Sequence, residues 1–322
     1  MEVFLAIVVL VLSFFLIIVG GDKFVDSSVG IAKKLKIPTA IIGATLVSIG
    51  TTIPELLVTI FSGSSDASGL AVGNALGSII FNSCLVGGVL LVCLVLSIKK
   101  SVLPGFILLI FSVVMLAVMG LNQKISFVES IILLVLFAIF VAINFISAKK
   151  NPEITIQSKE KEKNVWFCLL MFLISAAMIG FGAYFMVEKA KYLAGLMNIS
   201  ETIIGLTIIS FGTSLPELIT SISAIRKKEP GLGLGNIVGS NIINCTLLIG
   251  VTGLYNFNNG LPLAKDTLFV TIPVAILVTL ILLLPTILKK KTSKWQGITL
   301  ISFYVLYYIY LFLDAFNVIK IS

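Results

Sequence analysis

The chain has 322 residues, of which 58% are hydrophobic and only 12% are charged, with a formal net charge of +8. Soluble domains carry about 25% charged residues, so the composition excludes a water-soluble globular protein. Histidine is absent, which excludes His-based catalysis and most zinc sites. The cysteines lie in apolar stretches without paired metal-ligand spacing and are predicted to be free thiols: Cys84, Cys93, Cys168 and Cys245.

Apolar stretches of membrane-spanning length follow one another along the whole chain, at about 20 residues per helix. The sequence therefore predicts an all-α integral membrane protein with ten transmembrane helices. The first stretch has no basic leader and no obvious cleavage pattern, so it is predicted to be a retained helix. The predicted spans cover residues 3–20, 40–62, 70–96, 102–121, 127–148, 165–187, 202–224, 231–254, 267–288 and 297–316.

Most basic residues fall in alternate loops, which is a topology signal because such residues are retained on the cytoplasmic side. Both termini are therefore predicted to lie outside and the 149–164 linker in the cytoplasm of a multi-pass cell-membrane protein. Basic residues placed in this way do not indicate nucleic-acid binding. They are Lys33, Lys34, Lys36, Lys99, Lys100, Lys149, Lys150, Lys159, Lys161, Lys163, Arg226, Lys227, Lys228, Lys289, Lys290, Lys291 and Lys294.

The chain contains two copies of one long motif. G-T-T-I-P-E-L begins at Gly50 and G-T-S-L-P-E-L at Gly212, while G-N-A-L-G-S-I-I-F-N begins at Gly73 and G-N-I-V-G-S-N-I-I-N at Gly235. Both pairs are 162 residues apart (212 minus 50, 235 minus 73). Each copy holds five predicted spans, an odd number, so the second copy enters the membrane from the opposite side. The predicted units are an inverted repeat of 1–148 and 165–322, and such repeats place a transported substrate at their interface.

Each copy places one carboxylate inside a predicted span, Glu55 in the second and Glu217 in the seventh. A charged side chain at the centre of a membrane helix costs roughly 2.5 to 3.5 kcal/mol on insertion scales. A single such residue could be a protonated glutamate that bonds a neighbouring helix. A matched pair in duplicated motifs favours a functional role.

Hydroxyl and amide side chains recur around both carboxylates at helical spacing, which predicts polar faces that converge. Pro54 and Pro216 each remove one backbone hydrogen bond, which would free the carbonyls of Gly50 and Gly212. Oxygen ligands of these kinds suit Ca2+, whereas metals that prefer thiolate or imidazole are disfavoured. The glycine pairs Gly73/Gly77 and Gly235/Gly239 are predicted to let the helices approach closely. The polar faces are Ser48, Thr51, Thr52 and Glu55; Ser210, Thr213, Ser214 and Glu217; Asn74, Ser78 and Asn82; Asn236, Ser240 and Asn244.

The paired G-T-T-I-P-E and G-T-S-L-P-E segments, each followed by G-N, G-S and a final Asn, resemble the two alpha-repeats of the cation/calcium antiporter superfamily. Within it the chain is most similar to sodium/calcium exchangers of prokaryotic type. The resemblance implies a Ca2+ and Na+ antiporter without an organic cofactor, in which long helices 1 and 6 slide against the other eight. The resemblance implies that Glu55 and Glu217 bind both ions and that backbone oxygens of Thr51 and Thr213 complete the Ca2+ site. It implies that carbonyls of Ser48 and Ser210 contribute to Na+ sites and that Asn82 and Asn244 lie in the middle of the site. Further hydroxyl or backbone oxygens would come from Thr51, Thr52, Ser78, Thr213, Ser214 and Ser240.

The motifs depart from the family pattern at two positions. Some prokaryotic relatives carry Asp where Asn244 stands, and Ile79 breaks the symmetry with Asn241. A proton/calcium antiporter of the same fold is the alternative function, because buried carboxyl groups can carry protons. A cation channel is a further alternative that the inverted repeat argues against. An enzyme is not expected, and the protein is predicted to act as a monomer.

Overall fold

A computed structural model of the protein describes residues 2–63, 68–150, 164–196 and 210–315, and most of these residues are helical. Within these ranges eight helices are long and apolar enough to cross a membrane. The bent pair Thr39–Thr51 and Ile53–Ile60 also passes this test when taken together, which gives up to nine spans among the described residues. The predicted span 202–224 begins outside the described residues, and its described part is a helix from Ser210.

The first half of the described chain contains eight α-helices, two π-helical turns, one 3-10 turn and a two-residue strand. In chain order these are α1 (Glu2–Leu35), α2 (Thr39–Ile42), a π turn (Gly43–Val47), α3 (Ser48–Thr51), α4 (Ile53–Gly63), α5 (Ser68–Phe81), a π turn (Asn82–Val86), α6 (Gly87–Cys93), a 3-10 turn (Lys100–Val102), α7 (Leu103–Gly120), β1 (Lys124–Ile125) and α8 (Phe127–Lys150).

The second half is likewise mainly helical, with two π-helical turns, and its strand β2 pairs antiparallel with β1. The elements are α9 (Val165–Leu196), α10 (Ser210–Arg226), α11 (Pro230–Ile242), a π turn (Ile243–Leu248), α12 (Ile249–Tyr255), β2 (Leu261–Pro262), a π turn (Thr267–Thr271), α13 (Ile272–Lys289) and α14 (Lys294–Ala315).

Helix α1 is much longer than the predicted span 3–20, because it continues through the polar residues that follow Gly20 and Gly21. Ser27 and Ser28 fit into the helix because their hydroxyls donate to the backbone carbonyls four residues earlier, at 2.8 and 2.7 Å. Phe24 then buries its ring in a stack on Phe172 of α9, with centroids 4.5 Å apart. Polar residues thus extend this helix instead of ending it.

Helices α1 and α9 pack against each other through small residues at matching positions. A β-carbon on Gly20 would lie 3.1 Å from Ile179 and 3.2 Å from the Ser175 carbonyl. A β-carbon on Gly182 would lie 2.8 Å from Ile17 and 2.9 Å from the Ser13 carbonyl. Each residue of the first contact has its counterpart 162 positions away in the second, so the two halves contribute to this interface in equivalent ways.

Polar contacts join α1 to the end of α10. The Ser223 hydroxyl donates to Asp22, and Arg226 Nη1 lies 3.5 Å from Asp22 Oδ2. Lys227 Nζ lies 2.8 Å from Asp26 Oδ1. Because both ion pairs are partly exposed to solvent, each contributes little stability.

The remaining helices form a core in which α2 and α3 lie against α11. Gly235 lies directly against the Ala40 carbonyl, and a β-carbon on Gly239 would meet the Ala44 carbonyl at 2.5 Å and also Ser48. In the other half, a β-carbon on Gly77 would lie 3.0 Å from Ser210 Oγ. The predicted close packing is therefore confirmed at these three glycines, and it brings the motif helices of the two halves into contact.

Replacing Gly235 by Ala tests this close approach. A methyl group there overlaps the Ala40 carbonyl, so we expect the substitution to destabilise the protein by about 1–3 kcal/mol. The control is Gly180→Ala, because a β-carbon on Gly180 meets nothing within 4 Å. Thermal unfolding of the purified proteins in detergent measures both effects, and equal melting temperatures for the two variants would contradict the packing described.

Candidate ion-binding site

Glu55 sits one turn after a break in its helix. Helix α3 ends at Thr51, Thr52 has φ −85° and ψ 5°, and the axis turns by 46° before α4 continues. Pro54 lies in the first turn of α4 and has no N–H to donate, so the Gly50 carbonyl loses its usual helical partner. The equivalent Pro216 lies inside the continuous helix α10. The predicted interruption is thus a bend in the first copy, whereas the second copy remains helical.

A π-helical turn interrupts the partner helix of each copy at the same place. One turn begins at Asn82, and the other, Ile243–Leu248, contains Asn244. Asn82 and Asn244 occupy equivalent positions in the repeat. Single π turns inside α-helices occur frequently at functional sites, and these two place both amides within the buried core.

Every predicted ligand side chain is buried, and Glu55 and Glu217 are both 0% exposed. One oxygen of each carboxylate, Oε2, has no hydrogen-bond partner among the described residues. The amide oxygen and nitrogen of both Asn82 and Asn244 are also without partners there. The predicted ligands that share this burial are Ser48, Thr51, Thr52, Ser78, Ser210, Thr213, Ser214 and Ser240.

One hydroxyl group from the opposite half of the chain contacts the second oxygen of each carboxylate. Ser214 donates to Glu55 Oε1 at 3.0 Å, and its oxygen lies 2.9 Å from the Ser78 hydroxyl. Thr52 lies 3.3 Å from Glu217 Oε1 and 3.0 Å from the Ser240 hydroxyl.

The Ser240 hydroxyl also donates to Glu217 Oε1, at 3.2 Å. Thr52 and Ser214 are equivalent positions of the repeat. The copies therefore exchange contacts, and the four predicted polar faces do converge.

Asn74 and Asn236 also join this network, although the sequence placed them only on the polar faces and not among the predicted ligands. Thr51 Oγ1 lies 3.1 Å from Asn236 Oδ1, and Thr213 Oγ1 lies 3.3 Å from Asn74 Oδ1. Their repetition in both copies was visible in the sequence. Their pairing with the threonines depends on which helices meet, and that required the structure.

The asymmetry at Ile79 and Asn241 has a structural consequence next to the site. Asn241 donates to the Ser83 hydroxyl at 2.8 Å, across the interface between the halves, and its own amide oxygen has no partner among the described residues. The equivalent residues on the other side are Ile79 and Cys245, which cannot form such a bond. The copies are therefore similar but not identical around the carboxylates.

The chemistry of this site suits a cation held by oxygen atoms. Both carboxylates are buried, and the hydrogen bonds described around them come from neutral hydroxyl groups. Among the described residues no group of three or more His, Cys, Asp or Glu side chains is placed to hold a metal. A bound cation must therefore take neutral oxygens as well as the two carboxylates, which suits Ca2+ with its six to eight oxygen ligands.

Residues 5–146 and 167–313 match the family model described as sodium/calcium exchanger protein. The chain belongs to the sodium/calcium exchanger family. It is 36% identical to the sodium/calcium exchanger MaX1 of Methanosarcina acetivorans, an alignment that covers 94% of this chain and 97% of that protein.

The exchanger fold is also seen in solved structures. The sodium-calcium exchanger NCX_Mj, soaked with Na+ and Sr2+, superimposes with a TM-score of 0.81 at 31% identity, over 94% of this chain and 98% of that one. Human sodium/potassium/calcium exchanger 1 is 32% identical over 50% of this chain and 15% of its own length. Relatives named as exchangers thus include proteins of Methanosarcina acetivorans and of Homo sapiens.

The unpartnered oxygens predict that Ca2+ stabilises this exchanger. Ca2+ at about 100 times its Kd should stabilise the folded state by about 2.7 kcal/mol, which thermal unfolding in detergent measures as a rise in melting temperature. Mg2+ is the control ion, because it demands a smaller octahedral site and gives up its water reluctantly. A similar rise with Ca2+ in Glu217→Gln would show that Ca2+ binds elsewhere.

Proposed function

We propose that this exchanger is a secondary active antiporter that moves Ca2+ in exchange for Na+ across the membrane by alternating access. The observation that supports the proposal is the pair of buried carboxylates, Glu55 and Glu217, each contributed by one half of the chain and hydrogen-bonded by the other. The names of the relatives MaX1 and NCX_Mj agree with it.

The charge of the site explains why the two ion movements are coupled. Two ionised carboxylates give the empty site a charge of about −2, and moving that charge through a low-dielectric barrier is very unfavourable. One Ca2+ or two Na+ neutralise it. Only a loaded site therefore changes sides, and the two ions compete for the same oxygens.

The ligand roles in the proposal are those that the resemblance to the family's repeats implies, and the burial of these residues supports them. The free Oε2 atoms of Glu55 and Glu217 bind either ion. Backbone oxygens of Thr51 and Thr213 complete the Ca2+ site, whereas the carbonyls of Ser48 and Ser210 contribute to Na+ sites. Hydroxyl or backbone oxygens of Thr51, Thr52, Ser78, Thr213, Ser214 and Ser240 bind Na+, with Asn82 and Asn244 in the middle of the site.

The proposed topology has ten spans in two inverted repeats, 1–148 and 165–322, with both termini outside. The exchange of equivalent contacts between the halves supports it, since Thr52 with Ser240 and Ser214 with Ser78 are related by the same 162-residue offset. The cytoplasmic linker 149–164 lies mostly outside the described residues. We take the protein to act as a monomeric transporter, with no enzymatic activity and no organic cofactor.

The moving part in this proposal is the pair of long helices α1 and α9. They pack on each other through Gly20 and Gly182 and contact the core at α10. The ligands lie in the core helices instead, so a sliding movement of α1 and α9 opens the site to alternate sides without dismantling it.

Counter-ion-dependent 45Ca2+ uptake into proteoliposomes tests the function. We expect an outward Na+ gradient to drive uptake, and Glu55→Gln or Glu217→Gln to abolish it, because the amide lacks the charge that Ca2+ must neutralise. Glu129→Gln is the matched control, since Glu129 lies outside the site and accepts hydrogen bonds from Ser126. Normal uptake by either site variant would remove that carboxylate from the mechanism.

The same vesicles separate the alternative functions. A proton/calcium antiporter would take up 45Ca2+ in response to a pH gradient without Na+, and a channel would pass it with neither gradient. We expect uptake only with the Na+ gradient.

A further inference from the structure

Asn236 is held by hydrogen bonds at both ends of its side-chain amide. Its Nδ2 donates to the Thr220 hydroxyl at 3.2 Å, and its Oδ1 lies 3.1 Å from the Thr51 hydroxyl. Thr220, one turn after Pro216 on α10, is 0% exposed, as is Asn236. These contacts link α10, α11 and the helix that carries Thr51.

The direction of each hydrogen bond in this chain is fixed. Thr220 donates its one proton to a backbone carbonyl, either that of Pro216 at 2.9 Å or that of Glu217 at 3.0 Å. Its oxygen must therefore accept from the Asn236 Nδ2 atom, which turns Oδ1 toward Thr51. Thr51 then donates to that oxygen, so its proton is not available to the Ser48 carbonyl 3.3 Å away.

The other half of the site has no hydroxyl group that fixes the equivalent asparagine amide. The residue equivalent to Thr220 is Val58, which has no hydroxyl. Asn74 occupies the position of Asn236, accepts from Thr213 at 3.3 Å, and its Nδ2 has no partner among the described residues. No described contact therefore prevents the Asn74 amide from rotating by 180°, which would present its NH2 group to Thr213. Thr213 would then donate its proton to the Ser210 carbonyl, 3.4 Å away.

We propose that Thr220 is a positioning residue that makes the two halves of the ion site unequal. By fixing the Asn236 amide, it keeps two groups available for Na+: the lone pairs of the Thr51 hydroxyl, and the second lone pair of the Ser48 carbonyl, whose first accepts from the Thr52 N–H at 3.0 Å. The equivalent pair, Thr213 and Ser210, loses part of this availability to an internal hydrogen bond. This inference rests on the proposed role of these oxygens in binding Na+.

The direct test is competition of Na+ against 45Ca2+ bound to the purified protein in detergent, which requires no transport. Thr220→Val should raise the half-saturating Na+ concentration roughly three- to tenfold, the value of one buried hydrogen bond. Ca2+ affinity should change less, because the two carboxylates dominate its binding. Thr220→Ser keeps the hydroxyl and should restore the wild-type value.

Two further variants control for a general loss of stability. Ser221→Ala removes the neighbouring buried hydroxyl, which has no partner among the described residues, and should leave Na+ binding unchanged. Val58→Thr supplies the missing hydroxyl in the other half and should lower the half-saturating Na+ concentration about two- to threefold. Exchange in vesicles should show the same changes in KM for Na+ with the maximal rate preserved.

Wild-type Na+ affinity in Thr220→Val would overturn the inference, as would an equal loss of Na+ affinity, Ca2+ affinity and maximal rate. If Thr220→Val does not fold, Val58→Thr decides: tighter Na+ binding supports the inference and unchanged binding overturns it. A wild-type protein that binds both ions but does not exchange them would contradict the proposed function alone, because the binding measurements would still decide the role of Thr220.

Discussion

The structure depends on keeping two carboxylates, Glu55 and Glu217, in a core from which solvent is excluded. An uncompensated charge in such surroundings is very costly, and the described partners of these groups are neutral hydroxyls that reach only one oxygen of each carboxylate. We propose that a cation binds the remaining oxygens. Coupled exchange follows from that proposal, since the site is exposed to the other side of the membrane only when an ion of either kind neutralises it.

Close helix packing makes this arrangement possible. Glycines such as Gly77, Gly235 and Gly239 remove the side chains that would separate the motif helices, so Thr52 and Ser214 reach across to the carboxylate of the opposite half. Each half thus completes the other. Where the copies differ in sequence, as at Val58 and Thr220 or at Ile79 and Asn241, the hydrogen bonds that the site can form differ as well.

Much of this was predictable from the sequence, because it follows from local rules. Apolar stretches gave most span positions, and the repeated motifs identified Glu55 and Glu217 with the polar faces around them. The length of helix α1 was underestimated, because serines whose hydroxyls donate to carbonyls of the preceding turn do not end a helix. The π turns at Asn82 and Asn244 and the pairing of Asn236 with Thr51 were not predictable, because they depend on which helices meet.

The central claim is that one ion is shared by the carboxylates of the two halves. The most direct measurement is a crystal structure of the protein soaked with Sr2+, whose anomalous signal locates a cation that substitutes for Ca2+. The account predicts one strong peak within bonding distance of both Glu55 and Glu217, and no such peak in Glu217→Gln. A peak that contacts only one carboxylate, or a peak elsewhere with the two carboxylates hydrogen-bonded only to protein groups, would contradict it.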